Sequence, residues 1–186
     1  MTPCLCQYVL KEADRDCNPT SRATHTASAS IQMSFVGERQ MILSHKIRIY
    51  PNRDQEQFLK KSCGVARFAY NWGLAEWQNQ YKNGGKPNRF KLDKQFNSIK
   101  KQEFPFVCEV SASCSERALV NLGKSYKNFF SRKYKFPRFK KKGFCDSFYL
   151  KNNCFKLNGK YIKLAKMKPM RMAEPLRFDG KIMSGT

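Results

Sequence analysis

Leu43-Ser44-His45-Lys46-Ile47-Arg48-Ile49-Tyr50-Pro51-Asn52, then Asp54 to Ser62, Gly64, and Val65 to Lys82 with its stop at Asn83-Gly84-Gly85, is the stretch on which the reading of the fold rests. Leu43, His45, Ile47 and Ile49 fall on one side of an extended chain, with Lys46 and Arg48 on the other. That period of two predicts a half-buried strand, closed by a proline that cannot continue a ladder. Asp54 to Ser62 predicts a helix, since acids in its first turn and Lys60 and Lys61 in its last suit the helix dipole. Gly64 predicts its end. Val65, Phe68, Ala69, Trp72 and Ala75 then recur at helical spacing, which predicts a second helix running to Lys82. Helix, glycine-centred break, helix is the outline of a helix-turn-helix, and equally of any helical hairpin.

Working outward, Phe90 to Lys101 predicts a third helix and Ser111 to Ser131 a fourth. The fourth opens on a Ser113-x-x-Glu116 capping box and turns Leu119, Leu122, Tyr126, Phe129 and Phe130 inward. Short strands follow at Ser147 to Leu150, Cys154 to Leu157 and Tyr161 to Leu164, the last two joined by an Asn158-Gly159 turn. Leu176 to Phe178 and, past Asp179-Gly180, Lys181 to Met183 read as further strands. The fold class is α+β, with a helical region set between a first strand and a later group of strands. Upstream, residues 1–40 are rich in Thr, Ser and Ala without an apolar period and read as a disordered leader, with Met41 a plausible start of the folded unit.

The chain has 186 residues, of which 36 are Lys or Arg and 14 Asp or Glu, a formal net charge of +22. Four bases and four acids cancel in residues 1–40, so the whole excess lies in residues 41–186. Such an excess calls for a polyanionic partner, nucleic acid first. No apolar run approaches the roughly 20 residues of a membrane span, and the N-terminus lacks the order of a signal peptide, so a cytoplasmic protein without membrane contact is expected. The eight cysteines miss zinc spacings, Cys4-x-Cys6 being the nearest approach, and a reducing compartment favours free thiols.

Metal-dependent phosphoryl chemistry needs clustered carboxylates. The ten acids beyond residue 40 are spread singly, in helix first turns, a capping position and a turn. His25 and His45 are far apart in sequence, and there is no glycine-rich phosphate loop. Catalysis, a cofactor, a metal site and a small-molecule substrate are therefore not expected. Binding is. In Arg132-Lys133-Tyr134-Lys135-Phe136-Pro137-Arg138-Phe139-Lys140-Lys141-Lys142, seven of eleven residues are basic and three aromatic. The cations suit phosphates, and the rings suit either base stacking or anchoring to the core. On the second helix Arg67, Tyr70, Asn71 and Leu74 share a face. Arg and Asn there could read base edges in a groove, or satisfy backbone groups inside a helical bundle. The candidate nucleic-acid contacts are Arg53, Lys61, Arg67, Tyr70, Asn71, Lys124, Lys127, Arg132, Lys133, Lys135, Arg138, Lys140, Lys141 and Lys142.

His45-Lys46-Ile47-Arg48-Ile49-Tyr50-Pro51 with Gln55, Leu59, Gly64 and Arg67-Phe68-Ala69-Tyr70-Asn71-Trp72 resembles the start of the insertion-sequence OrfB/TnpB family. Leu119 to Phe130, Pro137-Arg138-Phe139-Lys140, Asp146-Ser147-Phe148, Asn158 to Leu164 and Pro175-Leu176 to Lys181 follow in the family's order. The resemblance implies a small wedge β-barrel with a helical recognition domain inserted after its first strand. On that reading residues 42–51 are the first wedge strand, 52–131 the recognition domain, 132–142 a basic linker and 143–186 the remaining wedge strands, truncated. It further implies that these parts bind double-stranded DNA, a structured transposon-derived guide RNA, or both, while a later RuvC-like domain with three acids cuts DNA. The chain is expected to stop before that domain and before its zinc ribbon, and so to bind without cutting. The competing expectation is a remnant of a decayed or frameshifted transposase gene that does not fold stably.

Overall fold

A computed structural model describes residues 43–144, 146–178 and 180–186. The leader, Met41, Cys145 and Asp179 lie outside the described residues. Among those described there are three α-helices and six short strands, an α+β arrangement: β1 (Ile49–Tyr50), α1 (Arg53–Lys82), α2 (Arg89–Ile99), α3 (Ala112–Phe130), β2 (Leu150–Lys151), β3 (Phe155–Asn158), β4 (Tyr161–Leu164), β5 (Met170–Met172) and β6 (Ser184–Gly185). A 3₁₀ turn, Pro105–Glu109, lies between α2 and α3. No described helix is long and apolar enough to cross a membrane.

The expected alternation at the first strand is present: His45, Ile47 and Ile49 are buried while Lys46, Arg48 and Tyr50 are exposed. Leu43 departs from it at 41% exposure. Pairing is confined to the last two residues. β1 pairs antiparallel with β5, Ile49 opposite Met172 and Tyr50 opposite Arg171, so the first strand is completed by one more than a hundred residues later. The sheet order is β1-β5-β4-β3, and β2 pairs separately with β6. The Asn158-Gly159 hairpin has the expected register, Asn158 opposite Tyr161, with Gly159 at φ +54° as such a turn requires.

Gly64 does not end a helix. Arg53 to Lys82 is one helix, because Gln55, Leu59, Ser62, Val65, Ala66, Ala69, Tyr70, Gly73 and Leu74 form a single buried stripe that crosses Gly64 without a change of phase. An interior glycine costs only about 1 kcal/mol against alanine, less than that burial returns. The four expected helices are thus three. The start of α1 is fixed by Asn52, whose backbone N–H donates to Gln55 Oε1 at 2.8 Å. Gln55 Nε2 in turn donates to the carbonyls of Lys168 and Pro169 at 3.2 and 3.3 Å, tying the helix to the approach of β5. The helix ends where expected, with Gly84 at φ +74°.

α3 is capped by Ser111, whose hydroxyl accepts from Ser113 N, rather than by Ser113; Glu116 pairs outward with Lys151. α1 and α3 pack so closely that a Cβ on Gly73 would lie 2.6 Å from Leu119 Cδ2 and 2.9 Å from Leu122 Cδ2. Leu119, Leu122 and Tyr126 are buried as expected, whereas Ala75 is exposed and Phe130 is 65% exposed. Leu92 and Phe96 of α2 are also buried, Phe96 against Trp72 at 4.9 Å between centroids.

The late strands are shifted and in part exchanged. Ser147 to Phe148 is not paired, the strand beginning at Leu150. Leu176 to Phe178 and Lys181 to Met183 are irregular. Their place is taken by Met170–Met172, between the two prolines at 169 and 175, and by Ser184–Gly185. Both Met170 and Met172 point into the core that joins helices and sheet.

Candidate nucleic-acid interface

The basic segment leaves α3 through a backbone reversal. Arg132 takes φ +55°, its N–H reaches Phe129 O at 2.9 Å and that of Lys133 reaches Asn128 O at 3.0 Å. These two bonds satisfy carbonyls that a helix end otherwise leaves open. The chain then runs without regular structure to Lys142. Phe136 meets Tyr126 and Phe129 edge-on at 5.8 and 5.2 Å, and Pro137 is buried, so the middle of the segment is pinned to the end of α3.

Its second anchor is α1. Asn71 Nδ2 donates to Lys140 O at 3.0 Å, and Asn71 Oδ1 accepts from Lys140 N at 2.8 Å. One side-chain amide thus grips both polar groups of one residue's backbone. The ammonium of Lys140 lies 4.6 Å above the ring of Tyr70, within cation–π range. One turn earlier, the Arg67 guanidinium pairs with Asp146 Oδ1 while Asp146 Oδ2 accepts from Gly143 N at 3.0 Å. Of the shared face of Arg67, Tyr70, Asn71 and Leu74, Tyr70 and Leu74 are turned inward while Arg67 and Asn71 stay partly exposed. Tyr70 and Leu74 are 5% and 0% exposed, Asn71 holds the basic segment at Lys140, and Arg67 holds Asp146 just beyond its end.

The structure in this way brings the two basic constellations together, one as the clamp and the other as the displayed surface. Arg132, Lys133, Lys135, Arg138, Lys141 and Lys142 are all exposed, and none forms an ion pair among the described residues. Tyr134 and Phe139 are 70% and 52% exposed, whereas Phe136 is spent on anchoring. Lys124 and Lys127, three residues apart and exposed on α3, lead up to the segment. Arg53 is exposed in the first turn of α1, and Lys61 is engaged by Glu109 of the 3₁₀ turn. Among the described residues no hydrogen bond or ion pair ties either of these two to the segment. Asp146 was legible in sequence only as part of a motif; its role as the partner of Arg67 needs the fold.

Other titratable groups serve the frame. His45 is buried, its Nε2 3.1 Å from Glu174 Oε1. Hydrogen bonds from Arg177 and then from His45 hold the Glu174 carboxyl below its ordinary range. Burial pushes the Cys114 thiol up to about 12. Lys166, at φ +68°, donates from Nζ to Cys108 O at 2.8 Å and so fastens the end of β4 to the 3₁₀ turn.

Residues 41–86 match a helix-turn-helix domain of OrfB proteins. A protein of Escherichia coli named as an RNA-guided DNA endonuclease, InsQ, is 30% identical over 105 residues, covering 55% of this chain and 26% of its own. One of Streptomyces pristinaespiralis, also named as an RNA-guided DNA endonuclease, is 29% identical over 104 residues, with the same shares of 55% and 26%. The chain holds an OrfB/TnpB-family N-terminal region. It spans about a quarter of the length of the curated relatives it matches. Within the matched OrfB/TnpB residues lie β1 and the single helix α1, and the turn after α1 leads to α2.

Proposed function

We propose that this OrfB/TnpB region binds nucleic acid through the segment 132–142, held by α1, together with Lys124 and Lys127 of α3. The observation that carries the reading is the clamp: Asn71 holds Lys140 by its backbone, so fixing the segment consumes none of the six exposed cations around it. A loop whose charges were needed for the fold would spend them on acids. The partner is duplex DNA, a structured transposon-derived RNA, or both, since cations read the phosphates common to all of these. Binding, and not strand cleavage, is the role placed in residues 43–186. In the same reading β1 and the strands from Leu150 to Gly185 are wedge elements and α1 to α3 the recognition part. The return of β1 to β5 across the helical insertion supports it.

The test is a salt series with the full chain on a duplex and on a folded RNA of similar length. With about eight phosphates neutralised, log affinity on the duplex falls against log salt with a slope of about −7. A slope near zero on both partners would overturn the proposal, and strand cleavage in the presence of Mg²⁺ would overturn the assignment to binding alone.

A further inference from the structure

The outward face of the four-stranded sheet is a second, differently built surface. Residues directly opposite in antiparallel strands share a face. Tyr50 is opposite Arg171, and Arg171 is opposite Tyr161, so the three stand in one row across β1, β5 and β4. Two strand spacings place the tyrosines about 10 Å apart with the guanidinium between them. Tyr50 is 51% exposed and Tyr161 53%. Among the described residues no side-chain hydrogen bond, ion pair or ring contact engages Tyr50, Tyr161 or Arg171. The adjoining row sets Lys163 directly opposite Lys156, both exposed. Like charges so placed cost the free protein stability. None of the four strands contains an acid to relieve them.

We infer that this face is a stacking platform for single-stranded nucleic acid: Tyr50 and Tyr161 take the faces of unpaired bases, while Arg171, Lys156 and Lys163 follow the backbone between and beside them. The occupant follows from complementarity. Two exposed rings offer π-faces, which every base accepts without sequence preference, and the cations, including the like-charged pair, are neutralised by phosphates. Duplex DNA keeps its bases stacked on one another and presents no free face to the rings. This surface is therefore distinct in preference from the basic segment, which engages phosphates whether or not the bases are paired.

The experiment uses the full chain with oligouridine, oligothymidine and a mixed-sequence duplex of equal length. The variant carrying Tyr50→Ala and Tyr161→Ala loses at least tenfold in affinity for one or both single strands and less than twofold for the duplex. The pair Tyr50→Phe and Tyr161→Phe, which keeps the rings, stays within twofold of the parent on every probe. The pair Tyr50→Thr and Tyr161→Thr, which keeps strand preference, behaves as the alanine pair does, and this separates loss of stacking from loss of the sheet. Lys156→Gln with Lys163→Gln reduces the single-strand salt slope by about 1.4. The inference is overturned if the alanine pair binds both single strands as the parent does, or if it weakens duplex binding equally.

Discussion

Asn71 is the residue on which the proposed interface turns, since its amide satisfies the N–H and the C=O of Lys140 at once. The same donor and acceptor geometry would suit an adenine edge, which is why the sequence leaves both readings open; the fold shows the amide engaged with Lys140. Asn71→Ala should lower stability by about 1–2 kcal/mol, the worth of two hydrogen bonds. It should also open the chain between Arg132 and Lys142 to limited proteolysis. A variant cleaved no faster than the parent would show that the segment is held elsewhere. Tyr126 carries a second prediction. Its hydroxyl is buried without a partner, and burial raises the phenol to about 12 from an ordinary 10. Below pH 10 folded and unfolded chains both keep the proton; as pH rises from 10 towards 12 the unfolded chain releases it first, so stability falls across that window. Tyr126→Phe removes an unsatisfied hydroxyl and should raise stability by about 1 kcal/mol at neutral pH, with a shallower alkaline loss in denaturant titrations. Equal alkaline slopes in the two proteins would contradict this.

At the scale of elements, the two helical glycines separate continuity from packing. A Cβ on Gly64 would meet only the Arg67 guanidinium, at 3.9 Å, whereas one on Gly73 would collide with Leu119 and Leu122. Gly64→Ala should therefore stabilise by up to about 1 kcal/mol. Gly73→Ala should destabilise by about 1–3 kcal/mol. Thermal unfolding reads both, and a destabilised Gly64→Ala would restore the helix break that the sequence suggested. The helix end at Lys82 and the Asn158-Gly159 hairpin were legible because asparagine and glycine mark them locally, whereas the third helix, expected to reach Lys101, stops at Ile99. Gly64 misled because its neighbours' burial, a property of α3 and the sheet, outweighs its own propensity. Met170–Met172 was hidden for the opposite reason: flanked by Pro169 and Pro175, it is made a strand by β1 and β4 on either side. The pairing of Arg67 likewise depends on Asp146, some eighty residues away, which no local pattern announces.

Over the whole molecule, five acids of the described residues are held in ion pairs and many exposed cations are not. Glu56, Glu109, Glu116, Asp146 and Glu174 are each paired with a lysine or arginine of the same chain. Exposed pairs of this kind add little stability. They do decide which positive charges remain unpaired, and among the described residues Arg132, Lys133, Lys135, Arg138, Lys141 and Lys142 do. The most direct test of the central claim replaces Arg132, Lys133, Lys135, Arg138, Lys141 and Lys142 together by Gln and measures duplex affinity across a salt series. Lys140 is kept so that the clamp to Asn71 and Tyr70 stays intact. An unchanged fold by circular dichroism and a salt slope shallower by about 5 are expected, since each phosphate contact contributes about 0.9. A folded variant that retains the parental slope would show that the phosphates are met on another surface.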